Sequence, residues 1–232
     1  MADLGRSEAS PLIASPVHTA IVVAIAAVNA YVGVIRSEHM RHAASVNRVA
    51  MYGRTMIFEW VMLAIVLVGL RLHGTSFYRV LGERWRSIAQ LMTDVGIALL
   101  FLMASIAMTS LLGPAHRNGS ATDAAVQFLL PQGRLETAMW VCLSVSAGIC
   151  EEAVFRGYLQ QQFVGMTRSV PVGIALAAVA FGASHAYQGW RNAAMIAVGG
   201  AMGGALAYWR KTVRPGMIAH AMQDTLAVFI KH

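Results

Sequence analysis

Residues Thr137–Gln161 read TAMWVCLSVSAGICEEAVFRGYLQQ, an apolar run that carries two adjacent carboxylates and a guanidinium, Glu151, Glu152 and Arg156. A membrane-spanning helix needs about 20 mostly apolar residues, and this run is long enough. A charged side chain at bilayer depth costs about 2.5–3.5 kcal/mol on insertion scales, so each of these groups needs a partner or a task. On a helix Glu152 and Arg156 stand four apart on one face and can pair, while Glu151 projects about 100° away and is left freer for chemistry. A merely polar helix end would call for one charge, not two adjacent acids.

The rest of the chain agrees with a membrane setting. Of its 232 residues 57% are hydrophobic and 12% charged, against a charged share of about 25% in soluble domains. Seven stretches qualify or nearly qualify as spans: Val17–Ile35, Met56–Leu72, Ile88–Leu112, Thr137–Gln161, Pro171–Tyr187, Ala193–Trp209 and Val213–Ile230. The expected fold is therefore all-α, a polytopic bundle of about seven transmembrane helices in a multi-pass integral membrane protein. The polar stretch Arg36–Arg54 is a candidate interfacial helix between the first two spans. Its His39 and His42, three apart, are read as headgroup-facing surface residues. The organisation is read as a tail (residues 1–16), N-terminal spans and loops (17–134, closing with the long loop Gly113–Arg134) and a C-terminal region carrying the chemistry (135–232). Net charge is +7, but no segment gathers basic residues with aromatics into a nucleic-acid face. Arginines between spans answer instead to membrane topology and lipid.

Two later spans carry histidines inside apolar runs. In Phe181-Gly182-Ala183-Ser184-His185 the phenylalanine and histidine share a face, and in His220-Ala221-Met222-Gln223-Asp224 the histidine and aspartate do the same. A lone membrane histidine is usually a packing or hydrogen-bonding residue. Depth changes that reading. At ~1.5 Å per residue, Glu151 lies about 15 Å from the end of its span, His185 about 21 Å from the start of the next, and His220 about 10 Å from the start of the last. Those three ends fall on one membrane face, so all three groups can meet inside. Glu151, Glu152, Arg156 and Asp224 left unpaired would cost on the order of 10 kcal/mol, and are expected to pair around a wet cavity. Two histidines with two or three carboxylates suit water activation, directly or through a bound metal.

Glu-Glu-x-x-x-Arg, Phe-x-x-x-His and His-x-x-x-Asp, in this order on late helices, resemble the CPBP family of intramembrane endopeptidases. That family includes the CAAX prenyl endopeptidases and bacteriocin-processing and immunity proteins. The resemblance spans about Thr137–Ile230. It implies that Glu151 activates the attacking water with His185 as its partner, that Glu152 and Arg156 support the site, and that His220 and Asp224 stabilise the oxyanion or orient the water. It also implies a peptide or protein substrate and a location in a bacterial cell membrane. A divalent metal and a metal-free glutamate mechanism are equally compatible with it. The sequence has no His-Glu-x-x-His, the pattern that argues for zinc.

Other readings of the same residues compete. Cys150 as nucleophile is disfavoured, because Glu151 beside it opposes the thiolate. Cys150 and Cys142 are about 12 Å apart along one helix and cannot be bridged within it. A transporter or immunity protein could use the polar cluster as a proton or ion relay. Gly199, Gly200, Gly203 and Gly204 form overlapping small-xxx-small pairs, read as close helix packing.

Overall fold

The computed structural model describes residues 12–43, 45–112 and 128–230, and over these it contains helices and turns without strands. In chain order the helices are α1 (Pro16–Arg41), α2 (Arg48–Leu72), α3 (Tyr78–Leu81), α4 (Ile88–Leu112), α5 (Arg134–Thr167), α6 (Val170–Ser184), α7 (Trp190–Arg210) and α8 (Arg214–Ile230). All seven expected stretches are helical over most of their length, and the fifth, Pro171–Tyr187, breaks at His185 because its helix ends at Ser184. Most of the tail and the loop from Gly113 to residue 127 lie outside the described residues.

Among the described residues four helices, α1, α2, α4 and α5, are long and apolar enough to cross a membrane, and α6 is apolar but shorter. Helix α7 carries exposed Trp190 and Trp209 near its two ends, about 29 Å apart by helical rise and close to the ~30 Å hydrocarbon thickness. Arg191 and Arg210 lie over these rings at 5.4 and 5.5 Å, as expected where aromatic belts meet headgroups. Apolar side chains such as Val28, Ile57, Leu100 and Val179 are exposed on the outside, whereas Glu59, Asp94, Glu152 and Arg156 are buried. The protein is an integral membrane helix bundle.

The candidate interfacial helix Arg36–Arg54 is not a separate element. Helix α1 runs on to Arg41 and α2 begins at Arg48, where the Asn47 side chain accepts the Ala50 N–H at 3.0 Å. Arg48 lies at this early start because its guanidinium donates to the Phe128 carbonyl at 3.0 Å, and Tyr52 reaches the Leu129 carbonyl at 2.5 Å. Tertiary partners thus extend the helix into a polar stretch.

Helix α5 is the axis of the fold. Its first part, Arg134–Glu151, is α-helical, the backbone widens to π geometry over Glu152–Leu159, and Gln160–Thr167 returns to α. Every residue of the π segment is buried. π turns are rare and occur mostly at functional sites. Gly157 lies against the Val80 backbone of α3, where a Cβ would collide. Beyond it, Tyr158 and Gln162 hold α1: the Tyr158 hydroxyl meets His18 Nδ1 at 2.7 Å and Thr19 Oγ1 at 3.1 Å. The Gln162 carboxamide accepts from Ile13 N at 2.8 Å and donates to Thr19 Oγ1 at 2.6 Å. The apolar core fills this end of the bundle, with Val22, Val66, Leu70, Val80 and Leu159 from α1, α2, α3 and α5.

Close backbone contact sets α8. A Cβ on Gly148 would meet the Met217 carbonyl at 2.7 Å and Ala221 Cβ at 2.9 Å, so only glycine lets α8 approach α5 this closely. Gly148→Val is expected to destabilise the bundle by about 1–3 kcal/mol through overpacking, read as a lower melting temperature in detergent. It should also lower activity, because α8 carries His220.

Candidate active site

Three helices converge. Helix α5 supplies Glu151, Glu152 and Arg156; the C-terminal end of α6 supplies His185; the middle of α8 supplies His220 and Asp224. Helix α6 stops at Ser184 after 15 residues, about 22 Å of rise and short of a full crossing. His185 therefore caps it inside the protein, and the side chains beyond it border a cavity.

Glu152 and Arg156 form the ion pair expected from their spacing, Oε1 to a guanidinium nitrogen at 3.0 Å, with both side chains about 5% exposed. The guanidinium also lies 3.9 Å from the centre of the Phe181 ring, and Gly203 of α7 faces it from the other helix. Glu152 Oε1 further accepts from His220 Nδ1 at 3.2 Å. The other ring nitrogen of His220 faces Asp224 Oδ2 at 3.4 Å and Glu151 Oε2 at 3.8 Å. Carboxylates thus flank both ring nitrogens. The Asp224 carbonyl accepts the Trp140 indole N–H at 2.8 Å, tying α8 to α5.

Glu151 is held differently. Its Oε2 lies 3.8 Å from both His185 Nε2 and His220 Nε2, too far for hydrogen bonds, and this buried oxygen has no hydrogen-bond partner. Buried polar atoms are normally satisfied, and one without a partner at a site asks for a catalytic or ligand-binding reason. His185 is oriented by its other nitrogen: Nδ1 lies 2.9 Å from the Phe181 carbonyl and 3.1 Å from Ser184 Oγ. An N–H there leaves the Nε2 lone pair aimed at Glu151.

The site opens into a cavity of about 770 Å³. The second half of α1, the first half of α2, the second half of α4 and the first half of α5 wall it, so it faces one end of the up-and-down bundle. Gly199 and Gly203 also line it. Gly200 and Gly204 of α7 let it pack closely on α6 and α5, while Gly203 faces the Arg156 guanidinium.

The metal alternative has a geometric test. Among the described residues no group of three His, Cys, Asp or Glu side chains is placed to hold a metal ion. His185 Nε2 and His220 Nε2 each stand 3.8 Å from Glu151 Oε2 without closing into such a group, so no resident cation is assigned to the site.

One site-lining acid escaped the motif reading. Glu59 of α2 is buried, accepts a hydrogen bond from Ser146 Oγ at 2.7 Å, and lines the same cavity as Glu151. An acid within an apolar run is the signal that singled out Glu151, and it applies equally to Glu59.

Residues 133–226 match the Rce1-like family, described as type II CAAX prenyl endopeptidase Rce1-like. The resemblance carried by the three motifs is borne out over these residues, and the match indicates a membrane protease in general. No curated protein matches, and no solved structure does.

Proposed function

We propose, from the match of residues 133–226 to the Rce1-like family of type II CAAX prenyl endopeptidases, that the chain hydrolyses a peptide bond with water activated by Glu151 and His185. The observation that carries this reading is the unpartnered Glu151 Oε2, equidistant at 3.8 Å from two histidine nitrogens. Two atoms that far apart can both lie about 2.8 Å from one hydrogen-bonding atom between them. In this reading a water gives one hydrogen to Glu151 and the other to the His185 Nε2 lone pair, which turns its oxygen towards the substrate carbonyl. As the oxygen attacks carbon, its proton passes to Glu151. The same proton then goes to the leaving nitrogen as the C–N bond breaks.

The tetrahedral intermediate carries an oxyanion and needs fixed donors. His220 is suited to this, because carboxylates at both ring nitrogens favour an N–H on each. Asp224 steadies the outer N–H, and the Glu152–Arg156 pair anchors the inner one. Residues 135–232 would thus form the catalytic region, with α1, α2 and α4 from the region 17–134 walling the approach. The substrate is a peptide or protein segment presented at or within the membrane, of the size the cavity admits.

The test is mass spectrometry of peptides released by the purified protein in lipid vesicles. Wild type should yield new termini, and His185→Ala should cut turnover about 10²-fold or more with unchanged melting behaviour. Solute uptake without any cleavage product would favour a relay in a transporter instead.

A further inference from the structure

Beside Glu151 lies a second, smaller cavity of about 90 Å³, bounded by α1, α2, α5 and the end of α6. Its polar wall is Asn29, Thr55, Glu59, Glu151, Ser184 and His185. No residue of α8 lines it, so it meets Glu151 where His220 does not border the space. The volume has room for about three waters at ~30 Å³ each. Polar pockets with several hydrogen-bonding partners retain water, whereas apolar ones of this size stay dry.

Hydrolysis consumes one water per bond, and this site sits among apolar helices. A substrate segment that fills the larger cavity displaces the solvent there, so the reacting water must be held where the substrate does not reach. The small cavity meets that need as a recess of the larger one: its polar wall, Glu151 and His185 included, borders both spaces, while Ala26, Met62, Cys150, Val154 and Phe155 line the recess alone. Resting on the reading that Glu151 activates water, we propose that this side pocket stores the hydrolytic water, with Asn29 and Glu59 as its positioning residues. Ser146 occupies only Oε2 of Glu59, which leaves the other oxygen for water. Asn29 is an amide within the apolar run of α1 and borders both the recess and the larger cavity.

Two residues report on the pocket directly. Met62 and Cys150 line it, and both are buried. Hydroxyl-radical footprinting of the full-length protein in lipid nanodiscs should oxidise them at rates near those of exposed methionines, because radicals form from adjacent water. Asn29→Leu places an apolar side chain in the pocket and should lower that oxidation at least threefold. It should also lower kcat about tenfold, the scale expected when a reactant is poorly positioned, with KM within twofold. Thr55→Val, which removes a hydroxyl at nearly constant volume, should shift both readouts in the same direction and serves if Asn29→Leu misfolds. Absence of oxidation at Met62 and Cys150 in active wild type overturns the proposal. So does full kcat in a variant whose oxidation is lost. Oxidation does not depend on turnover, so an oxidised but inactive wild type would refute the protease reading and leave the water pocket standing.

Discussion

Glu151→Gln is expected to lower kcat by about 10²–10⁴-fold, the usual contribution of a positioned general base. The amide keeps the shape of the carboxylate but cannot take a proton from water. Stability should hold or rise slightly, because Glu151 Oε2 has no hydrogen-bond partner to lose, and a neutral group is easier to bury. Substrate binding should also persist, so KM should change far less than kcat. The measurement is single-turnover cleavage in vesicles beside a melting curve of the same preparation. Turnover within twofold of wild type would remove Glu151 from the reaction.

Arg156→Leu should act on folding before it acts on chemistry. Glu152 and Arg156 are both nearly inaccessible and 3.0 Å apart, and removing one member of such a pair typically costs about 3–5 kcal/mol because the other is left buried and uncompensated. The loss is compounded by the Phe181 ring, which lies 3.9 Å from the guanidinium. Arg156→Lys would keep the charge but lose the flat face that covers the ring. A double variant, Glu152→Gln with Arg156→Leu, removes both charges and should recover much of the lost stability without recovering activity, since His220 loses a charged acceptor on Nδ1. Melting temperatures of the three variants check this. Equal destabilisation in the single and double variants would show that the packing of Arg156 matters and its charge does not.

The candidate site was legible because charge is costly in hydrocarbon. Glu151, Glu152, Arg156, His185, His220 and Asp224 stand out against apolar surroundings, and helical rise alone brings their depths together. The same signal is present at Glu59, but it lies only three residues into the expected span Met56–Leu72, where an acid is cheap. It lies within a helix because α2 begins eight residues before Met56, held there by contacts to residues 128 and 129 that are distant in sequence. The π geometry over Glu152–Leu159 was not legible either. No local preference marks it, and its surroundings, such as the Val80 backbone against Gly157, are tertiary.

Hydrophobic run length and the spacing of polar groups on a 3.6-residue period were enough to determine an all-α membrane bundle and the residues that must face inward. These are one-dimensional properties, set by the cost of burying charge and by helical geometry. Which carboxylate is paired and which is left open was decided only by packing. Glycine contacts seat α8 beside α5, and α6 ends early enough to put His185 at the cavity wall. The cavities themselves belong to no segment, because each is the space left where helices far apart in the chain fail to meet.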